Sequence, residues 1–248
     1  GNEPIKINNP QFGPENNTLI TFTHNQKLYL YDRMSHKTSL LIEEVFALSH
    51  YDNSYYYLKR DGIIYKNNHI FSDEIKLYNE PISSFNPLSD YSILVSGSSL
   101  TNSIQIAIIE KNNNKSFWYL DQNRKTPTLI ADSVEGAQFS WDLKKILLNF
   151  SNKILVYYIS TIEEQPRHDA GEKEVLFTSD LPIKSVRWLT RHENYIVVAT
   201  GNFIDIIELD GRDKRNIVRF LTLNDPKDIF YYKNEKALYV LDGFELKK

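Results

Sequence analysis

The chain has no cysteine, one methionine, nine glycines and nine prolines in 248 residues. Without cysteine it can form neither a disulfide framework nor a thiolate metal site. It contains no run of 18 apolar residues, so the sequence predicts no membrane-spanning helix. A signal-peptide pattern is also missing. Because the chain begins with Gly1 and not with Met, we expect any anchor or targeting segment to lie outside it.

The chain also lacks an excess of one charge. Its formal net charge is −3, and lysines and arginines are scattered along the sequence. A concentrated basic surface is needed for non-specific nucleic-acid binding, which is therefore not expected. Apolar residues make up 41% and charged residues 25%, as in a folded domain, and the 16 tyrosines and 13 phenylalanines favour strands. We expect one all-β domain over residues 1–248 and a monomer.

The segment Ile183–Arg219 shows the organisation most clearly. Four short apolar runs are separated by tight polar turns within about 40 residues, a pattern typical of one propeller blade. The runs end or lie at Trp188, at Tyr195–Ala199, at Phe203–Leu209 and at Asn216–Leu221.

The same pattern recurs along the whole chain. An apolar anchor followed by a polar turn and a second apolar run is found at Phe12, Leu48, Phe85, Phe139, Trp188 and Phe230. The intervals of 36, 37, 54, 49 and 42 residues predict a six-bladed β-propeller of about four antiparallel strands per blade. The expected blades are 9–42, 45–78, 82–131, 134–178, 183–221 and 226–248.

Two irregularities carry further expectations. The long third interval suggests a hairpin inserted at 98–116, formed by the strand Ser103–Glu110 and the turn after it. The sixth unit lacks an outer strand, which the N-terminal segment 3–8 could supply by pairing with the last blade. Such pairing would remove the free edge of an open ring.

These repeats resemble those of TolB-type six-bladed propellers, whose inner hairpin often reads Phe-Ser-Pro-Asp-Gly-Lys. The segments Phe85–Asp90 and Phe12–Asn16 keep its Phe and Pro, whereas the usual Asp-Gly pair is missing from every unit. This similarity extends over nearly all of the chain.

A narrower resemblance rests on about 40 residues. The segment Ile207–Asn216, after the hairpin that contains Trp188 and Leu189, is similar to the propeller of bacterial PEGA-domain-containing proteins. This resemblance implies a membrane-tethered protein at the cell envelope or extracellular face with a binding role, and it implies no catalytic residue. A cytoplasmic location is the alternative.

Catalytic signatures are weak throughout. None of the six histidines forms an HxH, HxxxH or HExxH spacing, and the only Gly-x-Ser, at Gly97, lacks the nucleophile-elbow pattern. There is no glycine-rich phosphate loop. We therefore expect no catalytic residue, no metal ligand and no cofactor.

One acidic pattern stands out, because an acidic residue precedes the inner strand of every unit. If these entry loops cluster at one mouth of the central channel, the mouth would attract a cation or a basic segment. Acids and prolines are equally common in solvated entry loops. The candidate residues are Glu3, Glu44, Glu80, Asp132, Glu135, Asp180 and Asp225.

Aromatic residues give a second candidate surface. Most consecutive aromatics are expected to pack between blades, because neighbouring side chains of a strand point to opposite faces. Trp141, in a predicted turn, and Trp118 are the candidates for exposure and for a contact with protein or glycan.

Three functions remain open at this point. The first is a non-catalytic binding or scaffold propeller that engages a protein or glycan partner. The second is a hydrolase, lyase or lactonase that uses a cation at the channel mouth. The third is a propeller that gates access to a separate domain.

Overall fold

The computed structural model describes residues 8–12, 19–52, 54–68, 73–98, 103–121, 126–189, 193–232 and 235–248. These residues form 23 strands and no helix. The strands make six antiparallel sheets, each built from strands that are consecutive in the chain. By internal packing the chain divides into two units, Gly1–Asp132 and Ser133–Lys248, with three sheets in each.

The first unit holds three four-stranded sheets. The first sheet consists of β1 (Asn8–Phe12), β2 (Leu19–His24), β3 (Lys27–Asp32) and β4 (Lys37–Glu43). The second consists of β5 (Val45–Tyr51), β6 (Ser54–Lys59), β7 (Ile64–Asn67) and β8 (Ile75–Lys76). The third consists of β9 (Tyr91–Ser98), β10 (Ser103–Glu110), β11 (Phe117–Leu120) and β12 (Pro127–Ala131).

The second unit holds two four-stranded sheets and one of three strands. The fourth sheet consists of β13 (Gly136–Phe139), β14 (Lys145–Asn149), β15 (Lys153–Tyr158) and β16 (Lys173–Thr178). The fifth consists of β17 (Ile183–Leu189), β18 (Tyr195–Thr200), β19 (Phe203–Glu208) and β20 (Ile217–Thr222). The sixth consists of β21 (Pro226–Tyr232), β22 (Ala237–Asp242) and β23 (Glu245–Lys247).

Tight turns join the strands within each sheet. Between β2 and β3, Asn25 and Gln26 have φ angles of 48° and 59°, and Thr23 and His24 pair with Leu28 and Lys27. Two consecutive positive φ angles match the right-handed twist of the flanking strands. Between β18 and β19, Gly201 has a φ of 55°, and a Cβ there would lie 2.7 Å from the Leu181 side chain. Glycine is therefore required at this turn.

The core lies between successive sheets of each unit. In the first unit, Trp118 and Ile108 of the third sheet pack with Tyr56 of the second. In the second unit, Trp188 and Ile196 of the fifth sheet pack with Ile154 of the fourth. The second and fifth sheets lie between two other sheets of their own unit, and their middle strands β6 and β18 are accordingly buried on both faces.

The first strand of each sheet packs against the first strand of the next sheet within a unit. β5 contacts β9, and β17 contacts β21. β17 also contacts β14 of the fourth sheet. We call these first strands the inner strands. Their polar residues are thereby brought together from different sheets.

The expected hairpin insertion at 98–116 is wrong. The strand Ser103–Glu110 is β10, the regular second strand of the third sheet, and it pairs along its whole length with β9. The repeat pattern predicts an inner strand at Phe85, but Phe85 lies outside the strands, before a turn in which Asn86 N donates to the Tyr91 hydroxyl at 2.8 Å. The long third interval therefore comes from the turn between Phe85 and β9. No extra strand is added to the sheet, which has four strands.

The expected pairing of segment 3–8 with the last sheet falls mainly outside the described residues. Residues 1–7 are not described, and Asn8 belongs to β1 of the first sheet. The sixth sheet has three strands among the described residues. Closure by the N-terminal segment stays a prediction.

Candidate functional site

A polar cavity of about 300 Å³ lies against the inner strands of the second unit. Its wall combines residues of β13, β17 and β21 with the end of β14, so three successive sheets contribute to it. We call it the inner-strand pocket. It is lined by Glu135, Gly136, Ala137, Gln138, Leu147, Asn149, Lys184, Ser185, Val186, Arg187, Lys227 and Asp228.

The sequence of β17 explains how this strand serves both the core and the pocket. Ile183, Val186 and Trp188 are buried and hold the strand in the core. Lys184 and Arg187 remain partly exposed and line the pocket. The pairing of β17 with β18 shifts register between Ile183 and Ser185, a bulge that re-aims the side chains around it.

Asp228 is the centre of a hydrogen-bond network that joins the fifth and sixth sheets. Its Oδ1 accepts hydrogen bonds from Ser185 Oγ at 2.6 Å, from Arg187 Nη2 at 2.9 Å and from its neighbour's backbone, Ile229 N, at 2.8 Å. Arg187 also donates to the carbonyl of Val186 at 2.8 Å. These hydrogen bonds fix the orientation of the guanidinium at the pocket wall, where it can bind an anion.

A second ion pair lies beside the pocket. Lys184 Nζ donates to Asp225 Oδ1 at 3.0 Å, and Lys227 Nζ lies 3.7 Å from Asp225 Oδ2. The hydrogen bond from Lys184, with the positive charges of both lysines, lowers the pKa of Asp225. Asp225 is therefore an ionised carboxylate that already has cationic partners.

Asn149 has an unusual side chain at the end of β14. Its Oδ1 is buried and accepts no hydrogen bond. Its backbone carbonyl accepts a hydrogen bond from Glu135 N at 2.8 Å. Buried polar atoms are almost always hydrogen-bonded, so this oxygen is one of few exceptions among the described residues, and it is covered rather than open to the cavity.

The charges of the inner-strand pocket are mixed. Three cationic side chains and two carboxylates line it, and no aromatic residue does. Its lining can donate hydrogen bonds to an anion and accept them from hydroxyl groups. Gly136 adds open space, since a Cβ at this position would meet no atom within 4 Å.

The sequence-predicted acidic residues are found in different surroundings. Glu135 lines the inner-strand pocket, and Asp225 lies beside it through Lys184. Asp180 is exposed in the same unit. Glu3 lies outside the described residues.

The remaining candidates belong to the first unit. Glu44 pairs with Arg60 at 3.1 Å, and Asp132 accepts a hydrogen bond from Ser116 Oγ at 2.5 Å. Glu80 is exposed in the segment after β8. A common acidic mouth formed by all these residues stays a prediction.

The two candidate tryptophans have opposite environments. Trp141 lies at the surface, with 44% of its area exposed. The expected exposure of Trp118 is wrong, because only 1% of this residue is exposed and its Nε1 donates to Ser83 Oγ at 3.1 Å. β11 is the third strand of its sheet, and all four of its residues are buried. Neither of its two faces therefore reaches solvent.

Sequence reasoning did not identify most of the pocket. Lys184, Arg187 and Asp228 lie on strands, whereas the sequence-predicted acidic residues were expected in the loops before them. A usable signal was the presence of charged residues inside otherwise apolar inner strands, as in IKSVRWL and PKDIFYY. Charges in such strands cost free energy unless they are paired or line a cavity.

A second cavity of about 360 Å³ lies on the hairpin ends of the fourth and fifth sheets. We call it the hairpin cleft, and Lys145, His168 and Glu193 line it. Glu193 is 2% exposed, and burial together with the nearby carboxylate of Asp142 raises its pKa to about 7, against the opposing effect of Lys145. His168 stacks on Tyr158, with ring centres 4.0 Å apart, and its Nδ1 lies 3.0 Å from Glu172 Oε1.

Two kinds of site are absent from the described part of the chain. It contains no group of three or more His, Asp or Glu side chains placed to hold a metal ion. It also contains no helix long and apolar enough to cross a membrane.

No protein-family model and no curated protein matches this sequence. Solved structures do match it in fold. The extracellular domain of BT4673 from B. thetaiotaomicron, described as a one component system, has a TM-score of 0.58 at 11% identity. That match covers 97% of this chain and 32% of the other, so the chain spans about a third of the length of that domain.

Two further structures are similar over nearly the whole chain. Hsv2 from Kluyveromyces lactis has a TM-score of 0.56 at 12% identity, covering 96% of this chain and 71% of the other. YCF48 from Cyanidioschyzon merolae has a TM-score of 0.58 at 13% identity, covering 93% and 79%. With the six antiparallel sheets, these similarities place the chain in the β-propeller fold class, with a sheet number that agrees with six blades.

Proposed function

We propose that this chain is a non-catalytic binding propeller whose inner-strand pocket takes an acidic glycan. The observation that carries the proposal is the guanidinium of Arg187, held by Asp228 and the Val186 carbonyl in the wall of a cavity that also presents Lys184 and Lys227. A fold does not specify a function by itself, so the chemistry of this cavity is the relevant evidence.

The chemistry of the lining favours a sugar that bears a carboxylate. Neutral sugars are usually held by stacking on aromatic rings, and the lining contains none. Lys184, Arg187 and Lys227 can bind an anionic group, whereas the carboxylate of Glu135 can accept hydrogen bonds from hydroxyls. The cavity volume is at the lower end for small-molecule sites, so it suits one or two sugar units of a longer acidic chain.

The proposed location is the cell envelope or the extracellular face. One of the similar structures is an extracellular domain, which supports this location. The narrower resemblance of the segment Ile207–Asn216 to PEGA-domain-containing proteins supports tethering by a segment outside this chain. Acidic polysaccharides are accessible to a protein at that location.

Isothermal titration calorimetry with trigalacturonate tests the proposal, with the neutral maltotriose as the comparison. We expect trigalacturonate to bind in the micromolar to millimolar range and maltotriose to bind at least tenfold more weakly. Equal affinities for the two sugars would show that the pocket does not select an acidic glycan.

Two variants locate the binding site. Asn149→Asp keeps the side-chain size but adds a negative charge to the pocket wall, and Gly136→Leu fills open space in the pocket. Each is expected to weaken trigalacturonate binding at least tenfold. Asn216→Asp, a matched change at an exposed position outside the pocket, should bind as the wild type does. If Gly136→Leu folds and binds normally, the ligand is elsewhere.

A further inference from the structure

The outer strand of the fifth sheet, β20, presents an apolar edge to solvent. All six of its residues are exposed, and the four large apolar ones have exposed fractions of 39–52%. They are Ile217, Val218, Phe220 and Leu221. One side of β20 pairs with β19, and no other described strand pairs with its second side. Such an edge carries free backbone donors and acceptors that can pair with another strand.

The composition of β20 sets it apart from the other outer strands. Proteins protect edge strands with lysines, acidic residues and prolines. β20 has none of these residue types. Its pairing with β19 contains a register shift, but the pairings of β4, β12 and β16 contain one too, so the shift does not set β20 apart. The protecting residues on the other outer strands are Lys37 and Glu43, Lys76, Pro127, Lys173 and Glu174, and Glu245 and Lys247.

The single charge of β20 is neutralised within its own sheet. Arg219 Nε donates to Asp205 Oδ1 at 2.9 Å, and the guanidinium carbon lies 3.5 Å from the centre of the Phe203 ring. The hydrogen bond to Asp205 raises the pKa of Arg219. Arg219 is therefore a poor source of repulsion against a second strand of the same sequence.

We propose that β20 is a docking edge for β20 of a second copy of this chain, with the two strands antiparallel. The two-fold arrangement that pairs all six residues places its axis between Arg219 and Phe220. Val218 then lies opposite Leu221 of the second copy, and Arg219 lies opposite Phe220 of the second copy. No like charges face each other in this register, and apolar pairs and a cation–π pair form, so the strand is complementary to itself.

The area available predicts a weak dimer. Four half-exposed apolar side chains and one strand edge amount to a few hundred Å² per copy, below the roughly 800 Å² per partner of a standard stable interface. We therefore expect a dissociation constant on the order of 100 μM and a monomer at low concentration. The expected monomer and this dimer are thus states of one protein at different concentrations.

Sedimentation velocity between about 5 and 500 μM tests the association. The wild type should shift from monomer towards dimer over this range, and Val218→Lys should remain monomeric. Leu88→Lys provides the matched control, because Leu88 is 89% exposed but lies in a turn without a free strand edge. A wild type that stays monomeric at 500 μM, or a Leu88→Lys variant that loses association equally, overturns the proposal.

The absence of cysteine allows a direct test of register. Val218→Cys and Leu221→Cys are prepared as separate single variants, mixed, and oxidised mildly. Residues directly opposite each other are close enough for a disulfide, so the mixture should cross-link several-fold more than either variant alone. Cross-linking no greater than that of a Leu88→Cys and Val218→Cys mixture would show that any dimer forms through another surface. Thermal melts of each variant check that the fold is retained.

Discussion

The ammonium group of Lys145 lies 3.1 Å from the carboxylate of Glu193, on side chains that are only 12% and 2% exposed. Glu193 Oε1 also accepts from the backbone N–H of Asp142 at 3.0 Å, and Lys145 lies 3.0 Å from Asp142 Oδ2. Glu193 itself has a φ of 54°. The pair therefore joins the first turn of the fourth sheet to that of the fifth, and it holds a strained backbone in place.

The first prediction concerns pH. The pKa of Glu193 is raised to about 7 in the folded chain, above its ordinary 4.5, so folding favours the protonated acid. This contribution is complete below pH 4.5 and is lost as the pH rises through 7. Glu193→Gln removes this pH-dependent contribution. The difference in unfolding free energy, wild type minus variant, should therefore fall by about 3 kcal/mol between pH 4.5 and 8.

Urea unfolding of both proteins across this pH range measures the difference. Asp142 does not interfere, because its pKa is lowered and it therefore titrates at a lower pH than Glu193. Burial raises its pKa, but the hydrogen bonds from Ser140 and from the Lys144 backbone, with the charge of Lys145, outweigh that and lower it. Glu163→Gln, at a surface position, should track the wild type. A difference for Glu193→Gln that is constant with pH would contradict the prediction.

The second prediction concerns Lys145. Lys145→Met leaves the carboxylate of Glu193 buried without its cationic partner, which typically costs about 3–5 kcal/mol. The loss should be largest at pH 8 and smaller at pH 5, where Glu193 is mostly protonated. Chemical unfolding at the two pH values measures it.

A double variant separates the charge effect from lost packing. Lys145→Met combined with Glu193→Gln removes both charges and should recover a large part of the stability at pH 8. Lys27→Met, which breaks the exposed pair with Glu43, should change stability little at either pH. No recovery in the double variant would assign the loss to the contact between Lys145 and the Trp188 ring instead.

The repeat and most strand positions could be predicted from the sequence. The third strands follow from apolar runs that end at polar turns, and Asp32 acts at such a turn by accepting from Met34 N at 2.8 Å. The segment Ile183–Arg219 has strands at Ile183–Leu189 and Phe203–Glu208, within one residue of expectation. These features are local, so the sequence pattern is sufficient.

The pocket could not be predicted in the same way. Asn149, Arg187 and Asp228 are about 40 residues apart in sequence, and they meet only because the inner strands of successive sheets pack together. The error at Trp118 has a related cause. A strand pattern shows that neighbours face opposite sides, but it does not show that both sides of β11 are covered.

The third prediction compares the two candidate tryptophans. Trp118→Ala should destabilise the chain by about 3–5 kcal/mol, because it leaves a cavity in the packed core around Ile108. Trp141→Ala removes a side chain that is 44% exposed and should cost less than about 1 kcal/mol. Thermal and urea unfolding of the two variants test this order, and equal losses would contradict the burial of Trp118.

The fourth prediction concerns Arg215, which links the outer strand of the fourth sheet to the turn before β20. Its Nε and Nη2 donate to the carbonyls of Glu208 and Leu209 at 2.9 and 2.7 Å. Its Nη1 donates to the carbonyl of Leu176 at 3.2 Å, and the guanidinium pairs with Glu174. Lysine keeps the charge but cannot reach these acceptors at once, so Arg215→Lys should cost about 1–3 kcal/mol.

Arg212→Lys is the matched control for this change. Arg212 forms an ion pair with Asp210 in the same exposed turn, so its replacement should leave the midpoint of urea unfolding nearly unchanged. Gly211→Ala gives an independent check, because a Cβ at this position would lie 2.9 Å from Arg215 Nη2 and displace the guanidinium. The stability loss caused by Gly211→Ala should therefore be absent when Arg215 is already replaced by lysine. Additive losses in the double variant would show that Arg215 does not act through this geometry.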